Sequence, residues 1–564
     1  MKILFIARHF TYFRNYESVL ATLAARGHQI HLAAERGEEL GGRELVERLA
    51  AAHEGVSIGW LPDREDRWTV FATRLRLTID YLRYLEPAYE TTPKLRARAR
   101  ERVARLGLWL LAFGLARTSL GRRLTGAVLR ACERSIPRSR RIDAFLREQA
   151  PDVVLLTPLI GVVASPQLDY LQSAKALGYP TALCVWSWDH LSSKAILRDL
   201  PDRIFVWNDT QRDEAVMLHG VPPERVIVTG AQCFDHWFDR QPSVDRAMFC
   251  RKVGLPDARP FLLYVCSALF RGSASEARFV QRWVRALRSS GLEPLASTPI
   301  LVRPHPARMK EWAQVDLGAD RDVAFWGRNP VDAEAKADYF DSLCYSEAVV
   351  GLNTSAFLEA AIAGRPVFAT LLPEHHENQE GTIHFHYLMN VGGGLLQTAR
   401  SFGEHVAQLN AVVASGARDS ERSRRFVEAF IRPRGRTTAA TPVFADAVEV
   451  LARHSSRPAR DSVAIRVVRA VLAPVAALMA LPLAEPLMTG ERDRVIAARH
   501  RGRRAEHDRR WREKTARHAA QLSEKEARAA ERQRQKARQA AEWRRAKARK
   551  KWARRLKQRF GFGQ

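Results

Sequence analysis

The feature that most constrains this chain is a rhythm of short apolar runs, each four to seven residues long, alternating with helical stretches from the first residue onward. Residues 1–7 (MKILFIA) read as a strand, 8–15 as a polar loop and 16–25 as a helix. Arg26-Gly27-His28 breaks that helix before a second strand over 29–33. Strand, helix, strand with so short a period closes only as a parallel sheet covered by helices. Strands are predicted again at 152–157, 181–185, 203–207 and 225–229, with helices at 166–177 and 210–219. A stretch with three prolines, 241–260, reads as a linker containing a short helix. The rhythm then restarts at 261–265, 300–303, 323–326, 348–351 and 366–370, and a helix near 442–454 closes it. The expected fold class is α/β: two Rossmann-like domains, 1–240 and 261–454, facing a cleft at the carboxyl ends of their strands.

Charge divides the chain differently. Of the 564 residues, 90 are Lys or Arg and 62 are Asp or Glu, a net of +28. Residues 491–564 hold +18 of it and residues 93–141 hold +12, which leaves the body at about −2. The body therefore reads as a near-neutral globule with a basic helical insert and a basic helical tail. Anionic lipid, polysaccharide and nucleic acid are the polyanions such attachments could meet. Nucleic acid is disfavoured, because the body carries no nucleic-acid motif and few aromatics interleave with the basic residues.

Within the insert, residues 107–114 (GLWLLAFG) fit two readings equally: helices packing through Leu108, Leu111 and Leu115, or a membrane-surface patch. Residues 463–490 form an apolar segment with prolines at 474, 482 and 486, expected to lie in a membrane plane or pack on the body rather than to span. The tail has Trp552, Leu556 and Phe560 one helical turn apart among Lys and Arg. Six scattered cysteines and the lack of a signal-like N-terminal stretch suit a reducing cytosol. The expected location is cytoplasmic, peripheral to the inner face of the plasma membrane.

Three loops carry candidate chemistry. In Gly351–Val367 (GLNTSAFLEAAIAGRPV) a strand ends and Asn353, Thr354 and Ser355 open a helix, where hydroxyls and free N–H groups suit a phosphate. Glu359 follows just over one turn on, placed to accept ribose hydroxyls. Arg303-Pro304-His305-Pro306 holds an imidazole rigidly at another strand end, where it can donate to phosphate. Between Val185 and Lys194 (VWSWDHLSSK), Asp189 and His190 are candidates for the base that deprotonates an acceptor hydroxyl. Arg8, His9 and Tyr12 are acceptor-side candidates on the first loop, with His375, His376, Glu377, His384 and His386 beyond a later strand. The spacing in Glu374–Glu377 fits no standard metal site, so no metal is expected.

Taken together these motifs resemble the two-domain GT-B glycosyltransferases over about 1–454. Residues 225–235 (RVIVTGAQCFD) are similar to the end of their first domain, and 353–367 to their donor-binding helix, with Glu359 at the place of the ribose-contacting glutamate. His305-Pro306 and the hydroxyl-rich turn at 353–355 are similar to paired motifs in bacterial capsule, sialic-acid and teichoic-acid transferases, the last resembling CDP-glycerol glycerophosphotransferases. The resemblance implies a metal-independent transferase with no cofactor, taking a UDP- or CDP/CMP-linked donor. It would move a glycosyl or polyol-phosphate group to a cell-envelope glycan or lipid-linked acceptor. Arg303, His305, Asn353, Thr354 and Ser355 would hold the donor phosphate. Two departures stand out: Gly351 occupies a position that is a second glutamate in many GT-B enzymes, and Arg8–Tyr12 replace a glycine-rich loop. A nucleotide-sugar 2-epimerase of the same fold and a non-enzymatic polyanion binder are the competing readings.

Overall fold

A computed structural model describes residues 1–37, 41–112, 118–257, 259–317, 322–330, 332–416, 420–454, 458, 461–496, 498, 535, 538–539 and 541–555. Contacts divide the chain into a body, Met1–Gly490, and a tail, Glu491–Gln564.

The body is built on two parallel sheets. The first holds β1 (Lys2–Ala7), β2 (Gln29–Ala34), β3 (Val56–Trp60), β4 (Val153–Thr157), β5 (Thr181–Cys184), β6 (Arg203–Val206) and β7 (Val226–Val228) in the order 3-2-1-4-5-6-7. The second holds β8 (Leu262–Val265), β9 (Ile300–Arg303), β10 (Val323–Phe325), β11 (Ala348–Gly351), β12 (Val367–Thr370) and β13 (Leu396–Ala399) in the order 10-9-8-11-12-13. Both orders reverse direction beside their first strand, with Ile3 level with Val153 across β1 and β4, and Leu262 level with Ala348 across β8 and β11. A ligand crevice forms at such a switch point, outside the carboxyl ends of the strands. The central strands are buried on both faces, as helices on both sides of a parallel sheet require. Two Rossmann-like halves about a cleft make up the GT-B arrangement.

Two segments sit differently from the sequence reading. The stretch 241–260 is no free linker: its helix Arg246–Val253 buries Phe249, Cys250 and Val253 in the core of the second half. Helix Ala440–Ala452, which the strand rhythm grouped with the second half, packs Phe444, Ala445, Val448 and Leu451 into the first instead. Its apolar face spaced by three and four residues needs a partner, and Tyr16 and Phe205 supply one. The helix Val463–Met479 folds back onto the Trp68–Arg83 and Ser119–Arg134 helices, burying Ala476 against Trp68, Phe71, Ala72 and Ile136.

Charge pairs in the interior fasten this helical layer to the first sheet domain. Asp169 accepts from Arg64 and twice from Arg76, each at 2.9 Å, and Arg76 also lies 3.4 Å from Glu133. Arg198 completes the network between Glu133 and Asp80. Five of the six residues are buried and the sixth, Arg198, is partly so, so each charge depends on its partners. In the tail, residues 541–555 are helical and exposed, with Lys547 Nζ 4.7 Å from the Trp543 ring centroid. Leu115, Leu556 and Phe560 lie outside the described residues.

Candidate functional site

In the second half the site grows from the switch point between β8 and β11. The chain leaving β11 turns at Asn353, whose N–H donates to Ser267 Oγ (3.1 Å) on the loop after β8 and whose side-chain amide donates to the Asn378 carbonyl. Asn378 Oδ1 in turn accepts from the Phe270 N–H at 2.8 Å, so three loops are tied into one wall. Helix Ala356–Ile362, with Ser355 at its N-cap, is only seven residues long, and its dipole adds little. What it offers is side chains: the Thr354 hydroxyl accepts from the Ala356 N–H, while Ser355 is exposed and makes no side-chain cap bond.

Gly351 is required here by packing. A Cβ at that position would stand 2.8 Å from the Val265 carbonyl and 3.1 Å from the Phe357 ring, so no glutamate fits where the related pattern carries one. Glu359 is the remaining carboxylate on this wall. The Tyr339 hydroxyl donates to it, and burial, only partly offset by that bond, raises it to about 7. Arg303 is buried at the end of β9, its guanidinium 5.3 Å from the Tyr339 ring and stacked so closely under Gly327 that a Cβ there would meet its Cζ at 2.7 Å. His305 next to it is half-buried. Its Nδ1 accepts the Ala307 N–H at 3.2 Å, which leaves the proton on Nε2 as a donor. Burial, then the charge of Arg308, lowers its pKa, so this donor is the neutral imidazole.

In the first half the loop after β5 forms the facing wall. Burial opposes ionisation of Asp189, but the charges of Lys194 and His384 and hydrogen bonds from Lys194 and Ser187 outweigh it and hold the carboxyl well below the usual carboxylate range. Its oxygens accept from Ser187 (2.6 Å), Ser193 (2.9 Å) and Lys194 (2.7 Å). His190 is turned away. It is fully buried, with Nε2 3.1 Å from the Ile160 carbonyl, and burial lowers it to about 4. The structure thus removes His190 from the acceptor-base role, because the short helix His190–Ser193 points successive side chains to different sides. Arg8, His9 and Tyr12 do not line the cleft either; Tyr12 packs on Trp186 at 5.0 Å and His9 on Tyr12 at 4.6 Å, while Thr11, Arg14 and Asn15 of the same loop face the space.

The two walls enclose a cleft of about 1190 Å³. Asp189, Arg303, His305, Asn353, Thr354, Ser355 and Glu359 all line it. Among the described residues, nine Arg and Lys side chains line it against three carboxylates, in a body that is near neutral by sequence. Such a lining focuses a positive potential on whatever enters. His384 reaches it from the second half and packs edge-on to Trp188 of the first at 4.8 Å. His375 is buried outside the cleft lining, and His376 lies 3.5 Å from Glu380. Among the described residues, no group of three His, Cys, Asp or Glu side chains is placed to hold a metal ion. Sequence reasoning missed Tyr339, Arg14 and Arg98, which come from a helix, a 3₁₀ segment and the insert rather than from loops at strand ends.

No family model matches the chain, and no curated protein matches it. Among solved structures, a glycosyltransferase from Rickettsia africae is similar over 81% of this chain and 99% of its own, with 10% identity and a TM-score of 0.46. WaaG, a glycosyltransferase of lipopolysaccharide biosynthesis, shares 14% identity with a TM-score of 0.40, covering 80% of this chain and 100% of its own. The UDP-GlcNAc 2-epimerase from Neisseria meningitidis, bound to UDP-GlcNAc, shares 9% identity with a TM-score of 0.45, covering 80% and 100%. These are likenesses of overall layout, and they identify neither the substrate nor the reaction.

Proposed function

We propose that the protein is a transferase that takes a nucleotide-activated donor, UDP- or CDP/CMP-linked, and passes its glycosyl or polyol-phosphate group to an acceptor hydroxyl without a metal or other cofactor. The observation that carries this reading is the cleft: strongly cationic, at the switch points of two facing sheets, and larger than the ~300–1,000 Å³ that one small ligand occupies. That volume leaves room for two substrates.

Donor phosphates sit against His305 Nε2–H and the Thr354 and Ser355 hydroxyls, and Glu359 in its ionised form accepts from the ribose. Arg303 is committed to Tyr339 and to the Asp338 carbonyl at 3.4 Å, so it holds the wall beneath the phosphates. When the donor's bond to phosphate breaks and the acceptor oxygen takes its place, the acceptor hydroxyl's proton passes to Asp189 and on to water, and the departing phosphate charge falls among the cationic groups of this wall. Asp189, ionised and held by Lys194, orients the acceptor hydroxyl. A cell-envelope glycan or lipid-linked acceptor and a place at the inner face of the plasma membrane complete the proposal, supported by the basic insert and tail.

A thermal-shift screen of the full chain against UDP, CDP, CMP and GDP tests the donor site. A shift with one uridine or cytidine nucleotide that is lost in Ser355→Ala and His305→Ala is expected. No shift with any of the four overturns it. A 2-epimerase would share the nucleotide shift but would convert its sugar with no acceptor present.

A further inference from the structure

Two segments more than three hundred residues apart in sequence, 119–134 and 463–479, meet as packed helices, and each leaves an apolar stripe in water. On Val463–Met479 the stripe is Val463, Val467, Val471, Val475 and Leu478, spaced four, four, four and three residues apart and 43–67% exposed. On Ser119–Arg134 it is Leu120, Leu124 and Val128, 55–66% exposed. Trp109 and Leu110 on the neighbouring Arg105–Ala112 helix are 56% and 53% exposed, and Leu483, at the bend after Met479, is 92% exposed. Soluble proteins scatter such residues singly; a set this large marks a surface that something covers.

The helices are too short to cross a bilayer. Among the described residues no single helix is long and apolar enough, and the pair Val463–Met479 and Pro482–Met488 bends by 82°. Arg105, Arg123, Arg134 and Arg466 are exposed on the same helices, and residues 93–141 carry a net +12. That charge decides the occupant. A second copy meeting this face about a twofold axis would set arginine against arginine, whereas phospholipid headgroups supply the opposite sign beside an apolar layer.

We propose that the insert helices and the 463–488 segment together form one docking surface for an anionic lipid bilayer, lying in its plane. The same insert also reaches the cleft: Arg98, on helix Pro93–Arg100, donates to the Ser193 carbonyl, lies 5.5 Å from the Phe270 ring and lines the site. A surface that docks on lipid therefore sits on the element that walls the acceptor side, which suits an acceptor drawn from the membrane. That last step rests on the transferase reading; the docking surface itself does not.

The test is cosedimentation of the full chain with vesicles of phosphatidylcholine alone or mixed with phosphatidylglycerol, comparing wild type with Leu124→Glu/Val128→Glu and Val467→Glu/Val471→Glu. All four positions are exposed, so the fold is retained, and nucleotide binding by the variants provides the control. Binding is read at about 0.15 M salt, where the exposed arginines still meet anionic headgroups, and the basic tail is common to wild type and variants, so a difference between them reports the stripes. Wild type should bind the anionic vesicles, and each variant should lose about tenfold or more, since one buried Leu or Val side chain is worth that factor. Equal binding by wild type and variants overturns the proposal. So does a dimer that the variants abolish, with no vesicle binding, which would assign the stripes to a second copy. Failure of vesicle binding with nucleotide binding intact refutes the surface and leaves the transferase reading standing.

Discussion

His305 offers the sharpest separation of binding from folding. Its Nδ1 caps the turn by accepting the Ala307 N–H at 3.2 Å, and its Nε2–H is the group that reaches toward phosphate. A hydrogen bond to a charged acceptor contributes about 1.5–3 kcal/mol, which is roughly 10- to 150-fold in Kd. His305→Ala removes both bonds; His305→Asn keeps a side-chain oxygen that can accept from Ala307 but lacks the reach of Nε2. Both variants should therefore weaken nucleotide binding by that factor in calorimetric titration. His305→Asn should melt within about a degree or two of wild type, and His305→Ala somewhat lower. Because the imidazole acts neutral, the loss should be the same at pH 7 and 8. Wild-type affinity in His305→Asn would refute the reasoning and reduce the imidazole to a cap.

Other expectations follow from buried charge. Asp169→Ala removes a shared partner of two buried arginines; since Arg64 keeps Asp66 and Arg76 keeps Glu133, the loss should lie near the low end of the range for a broken buried pair, about 3 kcal/mol in urea denaturation. Burial raises Glu214 to about 7 and Glu276 to about 8, from about 4.3 in the unfolded chain. Their contribution to stability is full below about pH 4.3 and is lost as pH rises through 7–8, so the melting temperature should fall from pH 5 to 8, and Glu276→Gln should flatten that slope. Glu359, near 7, accepts ribose hydroxyls more strongly once ionised, so affinity for a nucleotide-sugar should rise as pH passes 7. Glu359→Gln should be weaker and flat over the same range.

Most of this architecture is legible in the sequence because parallel strands are buried on both faces and so read as unbroken apolar runs. The two strands that escaped, Val56–Trp60 and Leu396–Ala399, are sheet edges whose partly exposed polar positions break the run. Composition could not show where helices dock: 440–452 crosses to the first half, and 463–479 closes on an insert formed hundreds of residues earlier. The site divides along the same line. His305, Asn353–Ser355 and Asp189 follow strand ends, where topology places them at the cleft. Tyr339, Arg14 and Arg98 sit on helical elements, where their residue types carry no positional signal. Adjacent Asp189 and His190 were indistinguishable until the short helix turned one inward.

The central claim, transfer from a nucleotide donor to a second substrate, is tested most directly by nucleotide release. The full chain would be incubated with UDP- and CDP/CMP-activated donors, with and without an envelope membrane fraction as acceptor, and free nucleotide measured. Release that depends on the acceptor, and that falls in Ser355→Ala and Glu359→Gln, is the predicted result. Conversion of the donor's sugar without acceptor would make the protein an epimerase, and absence of both would contradict the reading of the cleft.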